Sequence, residues 1–257
     1  MNILTKNEIN LISEIGNHIN ILLNTKIKPL IVSGNNSMQI VELIDKYYDE
    51  HNITSIRNFV IDGDIISTNV HISMGKTISH GNPADNPVFT SGDLVRVDLV
   101  GFKHGLYADA ARTFVVDGVF KSLNEEKLLE AAYEALGQVQ KYVKVGQSIS
   151  RIGKIIERVA SNYGLYVSPM LGGHGIAAKL HSEPFVANTF KTNNDYIISD
   201  NTVLCVEPIF SLIKPDKIRS LEDATLIADN KTYNNFVHVE NTIHWTLNGA
   251  VSLTGDL

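Results

Sequence analysis

The sequence predicts an α+β fold in one domain covering residues 1–257. Three observations predict it. Apolar residues recur at helical period in two stretches near the N-terminus and in two more beyond residue 122, with strand-like runs between and after them. A short Gly-containing link, FKHG, joins two strand-like runs and marks an antiparallel hairpin. No low-complexity tract, charged linker or short repeat divides the chain. The order of two helices, strands, two helices and strands points to two similar halves.

The first helix is expected over 5–25. Thr5 and Glu8 form a capping-box pattern, and Ile9, Ile12, Ile15, Ile19, Leu22 and Leu23 repeat near helical period. The second is expected over 37–51, starting at Asn36 or Ser37 and turning Ile40, Leu43 and Ile44 inward. Strands are expected at 57–62 and 69–74. HGNPADNP (80–87) is dense in Gly, Asn and Pro and reads as a loop. The hairpin strands follow at 94–101 and 106–116. Ser122 and Glu125 make a second capping-box pattern that opens a long helix to about Tyr142. A further helix covers 148–163, with Gly164 placed to end it. Strands are then expected at 166–168, 181–187, 202–209, 224–229 and 236–246, with GGHG as a turn.

Composition narrows the class. The 22 Lys and Arg against 28 Asp and Glu give a formal charge of −6, and no basic stripe is visible. Nucleic acid is therefore not an expected partner. The one cysteine, Cys205, lies in an apolar run and is expected to be a buried thiol. No basic n-region precedes an apolar stretch, and no segment is long and apolar enough to span a bilayer, so a cytoplasmic protein is expected. No heptad seam or interface patch is visible, so a monomer is expected.

Five candidate metal ligands follow one another: Asp98, Asp109, His174, Glu207 and Glu240. Asp98 alone, in VRVDLV, reads better as a buried Asp that caps or pairs with Arg. Asp109 changes the balance. A turn centred between 103 and 104 would set the two residues almost opposite, with Cβ atoms roughly 4.5–5.5 Å apart. Two carboxylates so close in an apolar setting repel unless a cation lies between them. His174 sits between glycines in GGHGI, where Gly permits close backbone approach or positive φ; it would also pass as a surface residue. Glu207 and Glu240 each end an apolar strand-like run and need a partner or a cation. Four carboxylates and an imidazole suit two divalent ions and metal-assisted hydrolysis. His80 and His181 sit in neighbouring turns.

The stretches ISHGNP, LVRVDLV, YADAARTF, GGHGIAAKLHSEP, CVEPIF and VENTI resemble, in order and spacing, those of the type I methionine aminopeptidases of the pita-bread metallopeptidase family. The resemblance runs from about residue 78 to 243. It implies a pita-bread fold, in which an antiparallel sheet carries two pairs of helices in pseudo-twofold arrangement. It implies metal-dependent removal of the N-terminal residue, methionine foremost, from peptides or nascent proteins. Asp98 would chelate one ion, His174 and Glu207 would hold the other, and Asp109 and Glu240 would bridge them. A hydroxide bridging the ions would attack the scissile carbonyl. Glu207 would carry the proton to the leaving amine, His181 would donate to the carbonyl oxygen, and His80 would contact the substrate. The substrate's free α-amino group would bind a metal, which restricts removal to one residue. The two ions would be Mn, Fe, Co or Zn, all of which accept these ligands. The length matches the short bacterial form, without the zinc-binding extension, the type II insertion or the extra domain of prolidases.

The side-chain pocket departs from that family. SMGKTISH stands where an Asn-Glu pair is usual, and His71 stands where a small or sulfur-bearing residue is usual. Gly63, Ile66, Leu180 and Leu226 replace expected aromatics. His71 would shrink the pocket and add a polar group, so it is a candidate substrate contact. His238 lies two residues before Glu240, on the same strand face, and would either reach the substrate or sit at an exposed edge. The changes point to a divergent paralogue with lowered or shifted preference for methionine. Two other readings stand beside it: an aminopeptidase for a different N-terminal residue, and a non-catalytic pita-bread module that binds peptides.

Overall fold

In the computed structural model, which describes residues 4–191, 196–229 and 235–255, four α-helices flank antiparallel sheets. Helix α1 spans Lys6–Ile21, and Thr5 and Glu8 exchange both capping-box hydrogen bonds. The helical path then widens into a π-turn over Leu22–Ile27. Helix α2 spans Ser37–His51 and is capped by Asn36, with Gln39 completing the box. Helix α3 spans Leu123–Tyr142 and is capped by the Ser122 hydroxyl. Its Glu125 side chain turns inward, where it accepts from the Lys121 N–H and the Asn235 amide. Helix α4 spans Ser150–Asn162. Gly164, at φ 69°, ends it with a Schellman pair: Gly164 N–H to Ser161 O and Leu165 N–H to Ala160 O.

Each helix pair has its own apolar core. Helices α1 and α2 bury Ile12, Ile15, Ile19, Ile40 and Ile44 against Val97, Leu99 and Ala108 of the hairpin. Helices α3 and α4 bury Leu128, Leu136, Ile152 and Ile156 against Leu204, Val206, Val239, Ile243 and Trp245. Full burial of one such Leu or Ile side chain contributes about 1.5–3 kcal/mol. These cores fix where the strands between the helix pairs run.

The strand Leu94–Lys103 lies between Val70–Met74 and Leu106–Val115. The hairpin forms as expected, but its register is shifted from the expected one. Asp98 pairs with Ala111, and Asp109 pairs with Val100. The reason is the turn. It is the two-residue loop His104–Gly105, with φ 49° and 83°. Two successive positive φ angles match the right-handed twist of the flanking strands. That places the centre one residue later and leaves Asp98 and Asp109 diagonal on one face rather than opposite.

Two expected strands are interrupted. Residues 202–209 split into Thr202–Val206 and Ile209–Ser211, and residues 236–246 split into Phe236–His238 and Asn241–Thr246. The register runs on across both gaps: Val206 pairs with Asn241 and Ile209 with His238. Glu207 therefore faces Glu240. Pro208 has no N–H to give to the ladder. The Glu240 N–H bonds Ala111 O at 2.9 Å, and its carbonyl accepts from Arg112 Nη1 at 2.6 Å. The chain thus leaves one sheet and joins the next at the two glutamates.

The expected strand at 57–62 shrinks to Val60–Ile61, paired with Asp64–Ile65. Positive φ at Asn58, Asp62 and Gly63 prevents a longer run. GGHG, expected as a turn, is the strand Gly172–Gly175. Among the described residues no helix is long and apolar enough to cross a membrane.

Candidate metal centre

A cavity of about 440 Å³ opens beside the hairpin. His71, His80, Asp98, Asp109 and His181 line its polar side; Ile56, Ile61, Ile66, Val70 and Leu180 line its apolar side. His174, Glu207, Glu240 and His238 are not among the lining residues; Asp109 links His174 and Glu240 to that wall, and Glu240 in turn groups with Glu207 and His238. Among the described residues, three groups of ligand atoms lie within 4.8 Å of one another: Asp109 with His174, Cys205 and Glu240; Glu207 with His238 and Glu240; and His71 with His80 and Asp98. The structure thus gathers all nine residues singled out in the sequence. His174 groups with Glu240 and Asp109 rather than with Glu207.

Hydroxyls and one guanidinium hold these residues in place. Thr242 Oγ1 accepts from the Asp109 N–H at 3.0 Å and donates to the Asp109 carbonyl at 2.8 Å. Thr113 Oγ1 does the same for His238, at 2.9 and 2.8 Å. Arg112 joins the Glu240 carbonyl to Asn241 Oδ1. Asn188 Nδ2 donates to the Glu207 carbonyl at 2.8 Å. None of these four supports was read from the sequence. A Thr or Arg inside an apolar strand is the signal they leave, and it resembles that of many other buried polar residues.

The glycines around His174 answer a close approach, not a turn. A Cβ at Gly173 would lie 2.0 Å from the Cys205 carbonyl oxygen, and one at Gly172 would lie 2.2 Å from that of Val186. His80 has φ 55°, an unusual angle for a residue with a side chain, and its carbonyl accepts from Thr225 Oγ1 at 2.9 Å. His181 Nδ1 hydrogen-bonds the Asp62 carboxylate. The His181 ring stands edge-on to His174 with centroids 4.5 Å apart, and the His71 and His80 centroids are 5.1 Å apart. Ile66 and Leu180 line the cavity, whereas Gly63 and Leu226 do not.

Electrostatics in the cluster are those of crowded carboxyls. Burial, then the neighbouring Glu240 and Asp98, pushes Asp109 well above the usual carboxylate range. Burial and Asp98 raise Glu207; burial, Glu207 and Asp98 raise Glu240. Asp98 is held low: burial acts to raise it, but the imidazoles of His238, His71 and His80 outweigh that. Burial lowers His174 and His80 to about 4 each, leaving both rings neutral near pH 7.

Asp98 Oδ1, Asp109 Oδ1, Glu240 Oε1 and His238 Nε2 are buried and lack a hydrogen-bond partner among the described residues. Such atoms are costly unless something compensates them. Divalent cations held among these groups would compensate them. Carboxylate oxygens with neutral imidazoles are donors that Mn, Fe, Co and Zn accept. The residues present therefore fit a divalent-metal centre.

Comparisons with known proteins agree with this chemistry. The sequence profile of metallopeptidase family M24 matches residues 16–246. A methionine aminopeptidase of Staphylococcus epidermidis is 30% identical over 184 residues, covering 71% of this chain and 72% of that protein. One from Buchnera aphidicola is 25% identical over 244 residues, covering 90% of this chain and 92% of that protein. The crystal structure of a methionine aminopeptidase from Thermotoga maritima superposes with a TM-score of 0.89 at 25% identity, covering 99% of each chain. The prolidase of Pyrococcus furiosus shares the fold, with a TM-score of 0.74 at 20% identity, covering 98% of this chain and 65% of its own. The architecture is the pita-bread fold expected from the sequence resemblance.

Proposed function

This chain belongs to metallopeptidase family M24 and is a metal-dependent aminopeptidase of the type I methionine aminopeptidase kind; we propose that it removes the first residue, methionine foremost, from peptides or nascent proteins in the cytoplasm. The observation that carries this reading is the set of buried, unpartnered carboxylate and imidazole atoms at the edge of a cavity with one apolar side. Residues 1–257 act as one catalytic domain, and the protein works as a monomer.

Asp98, Asp109, His174, Glu207 and Glu240 would hold two divalent ions, which when bound acidify a water and polarise the scissile carbonyl. The chain's own groups do the rest. Glu207, raised by burial and by Asp98, suits transfer of a proton from the attacking water to the leaving amine at its carboxylate oxygens. Asp62 fixes the His181 ring through Nδ1. In the imidazolium form Nε2–H can then donate to the carbonyl oxygen as charge develops on it. His80, pinned at an unusual backbone angle by Thr225, lies beside the path of the substrate peptide. Ile56, Ile61, Ile66, Val70 and Leu180 take up an apolar side chain.

One observation favours a second reading, an altered preference for the first residue. His71 places an imidazole in the wall of the same cavity, next to His80 and Asp98. The experiment for both is a panel of Xaa-Ala-Ser tripeptides with metal-reconstituted protein. Methionine as the best first residue supports the first reading, and another residue the second. Two bound ions with no residue released would favour a peptide-binding module instead.

A further inference from the structure

His238 ends the strand Phe236–His238 and is buried, with 2% of its surface exposed. Thr113 Oγ1 holds both its N–H and its carbonyl, so its position relative to the hairpin is fixed from two sides. Its Nε2 lies 3.3 Å from Glu207 Oε2 and 3.6 Å from Glu240 Oε2. It nevertheless makes a hydrogen bond to neither, and has no hydrogen-bond partner among the described residues. A ring N–H that served to bind a carboxylate would point at one oxygen. Here the nitrogen and the two carboxylates instead form a group whose ligand atoms all lie within 4.8 Å. The other oxygen of Glu240, Oε1, lies 4.0 Å from His174 Nε2. Glu240 thus stands between two imidazoles, with one oxygen towards each.

We propose that His238 is a sixth protein ligand of the metal centre, supplying its Nε2 to the ion that Glu207 and Glu240 share. The inference rests on the metal-dependent reading above and adds to its five ligands. It accounts at once for the burial, the clamped backbone and the missing hydrogen bond. A second imidazole also makes the donor set more nitrogen-rich. Zn, Co and Ni gain more from imidazole than Mn does, whose preference is for oxygen. The consequence is a centre biased towards Zn or Co relative to one with a single histidine.

The test is titration of the metal-free protein with Co and with Zn, followed by visible absorption and calorimetry, for wild type, His238→Gln and His238→Ala. Far-UV circular dichroism of the metal-free proteins checks that the fold is kept. The variants should bind one of the two Co or Zn ions about tenfold or more weaker, the scale seen when even an outer support of a metal site is lost. Mn binding should change less, and the Co absorption bands should shift. X-ray absorption of Zn-loaded wild type offers a readout that needs no stable variant. It should show two imidazoles across the centre rather than one. Wild type that binds two ions, with affinity and Co spectrum unchanged in His238→Gln, would overturn this inference and leave the metallopeptidase reading standing. Wild type that binds no divalent ion would overturn both.

Discussion

The Thr242 hydroxyl grips both backbone groups of Asp109, accepting from its N–H at 3.0 Å and donating to its carbonyl at 2.8 Å. This joins the hairpin strand Leu106–Val115 to the strand Asn241–Thr246, and so joins the α1–α2 half to the α3–α4 half. It keeps ligand atoms of Asp109 and Glu240 within 4.8 Å of each other. Thr242→Val keeps the shape and removes the hydroxyl. Two buried backbone groups then go unpaired, so unfolding free energy should drop by about 1–3 kcal/mol for each. Urea denaturation of the metal-free protein measures it, and metal affinity should weaken in parallel. Unchanged stability would mean that the clamp does not position Asp109.

Metal-free protein carries a pH dependence whose sign follows from the crowded carboxyls. Burial and neighbouring acids raise Glu207, Glu240 and Asp109 above their ordinary values. Between those ordinary values and the raised ones, the folded chain binds more protons than the unfolded chain. Stability from these groups therefore falls as pH rises through that window. Glu207→Gln removes one of them. The stability of the variant relative to wild type should thus increase as pH rises from the ordinary carboxylate range towards neutrality. His80 and His174, lowered to about 4, act in the opposite sense, losing stability as pH falls from the ordinary imidazole value, but they are common to both proteins. A difference that stays flat with pH would count against a raised Glu207.

Added metal should reverse that ranking. The carboxyls must give up their protons to bind a cation. Calorimetry in buffers of different ionisation enthalpy should therefore register proton release on binding Mn or Zn in the window between the ordinary carboxylate values and the raised ones. Binding without proton release would contradict the protonated state of the metal-free cluster.

Asp62 orients His181 through Nδ1. His181→Ala should lower kcat by about 10²–10³, the range for loss of a donor to a developing oxyanion. Asp62→Asn should lower it less and leave metal content unchanged, because Asp62 touches no proposed ligand. Equal KM in all three proteins would place the effect on the chemical step. A loss confined to KM would instead make the pair a substrate-binding device.

His71 is the specific polar intrusion into the cavity wall. His71→Ala opens room and removes the imidazole. The ratio of kcat/KM for Met over a smaller or polar first residue should rise by about 10–200-fold, the value of a methylene-sized change in fit. An unchanged ratio across the tripeptide panel would show that His71 does not contact the side chain.

Much of this architecture was legible in the sequence because the signals were local. Thr5, Asn36 and Ser122 cap helices within one turn, and Gly164 ends one, so those boundaries fell within two residues. The fold and the family were implied by the resemblance that stretches such as LVRVDLV and GGHGIAAKLHSEP carry. What failed was decided at a distance or by a single dihedral. The hairpin register turned on positive φ at His104 as well as Gly105, and only Gly105 announces it. The break at Glu240 depends on Ala111 and Arg112, which lie far away in sequence. The Asp62–His181 contact joins residues 119 positions apart and leaves no local pattern.

The most direct measurement is release of free methionine from Met-Ala-Ser by chelator-treated protein, before and after Mn or Co is added back, for wild type and Glu207→Gln. No release is expected without metal, restored release with it, and a loss of about 10²–10⁴ in kcat in the variant, the range for general acid–base catalysis. Release that persists without metal, or that is undiminished in Glu207→Gln, would contradict the proposed function.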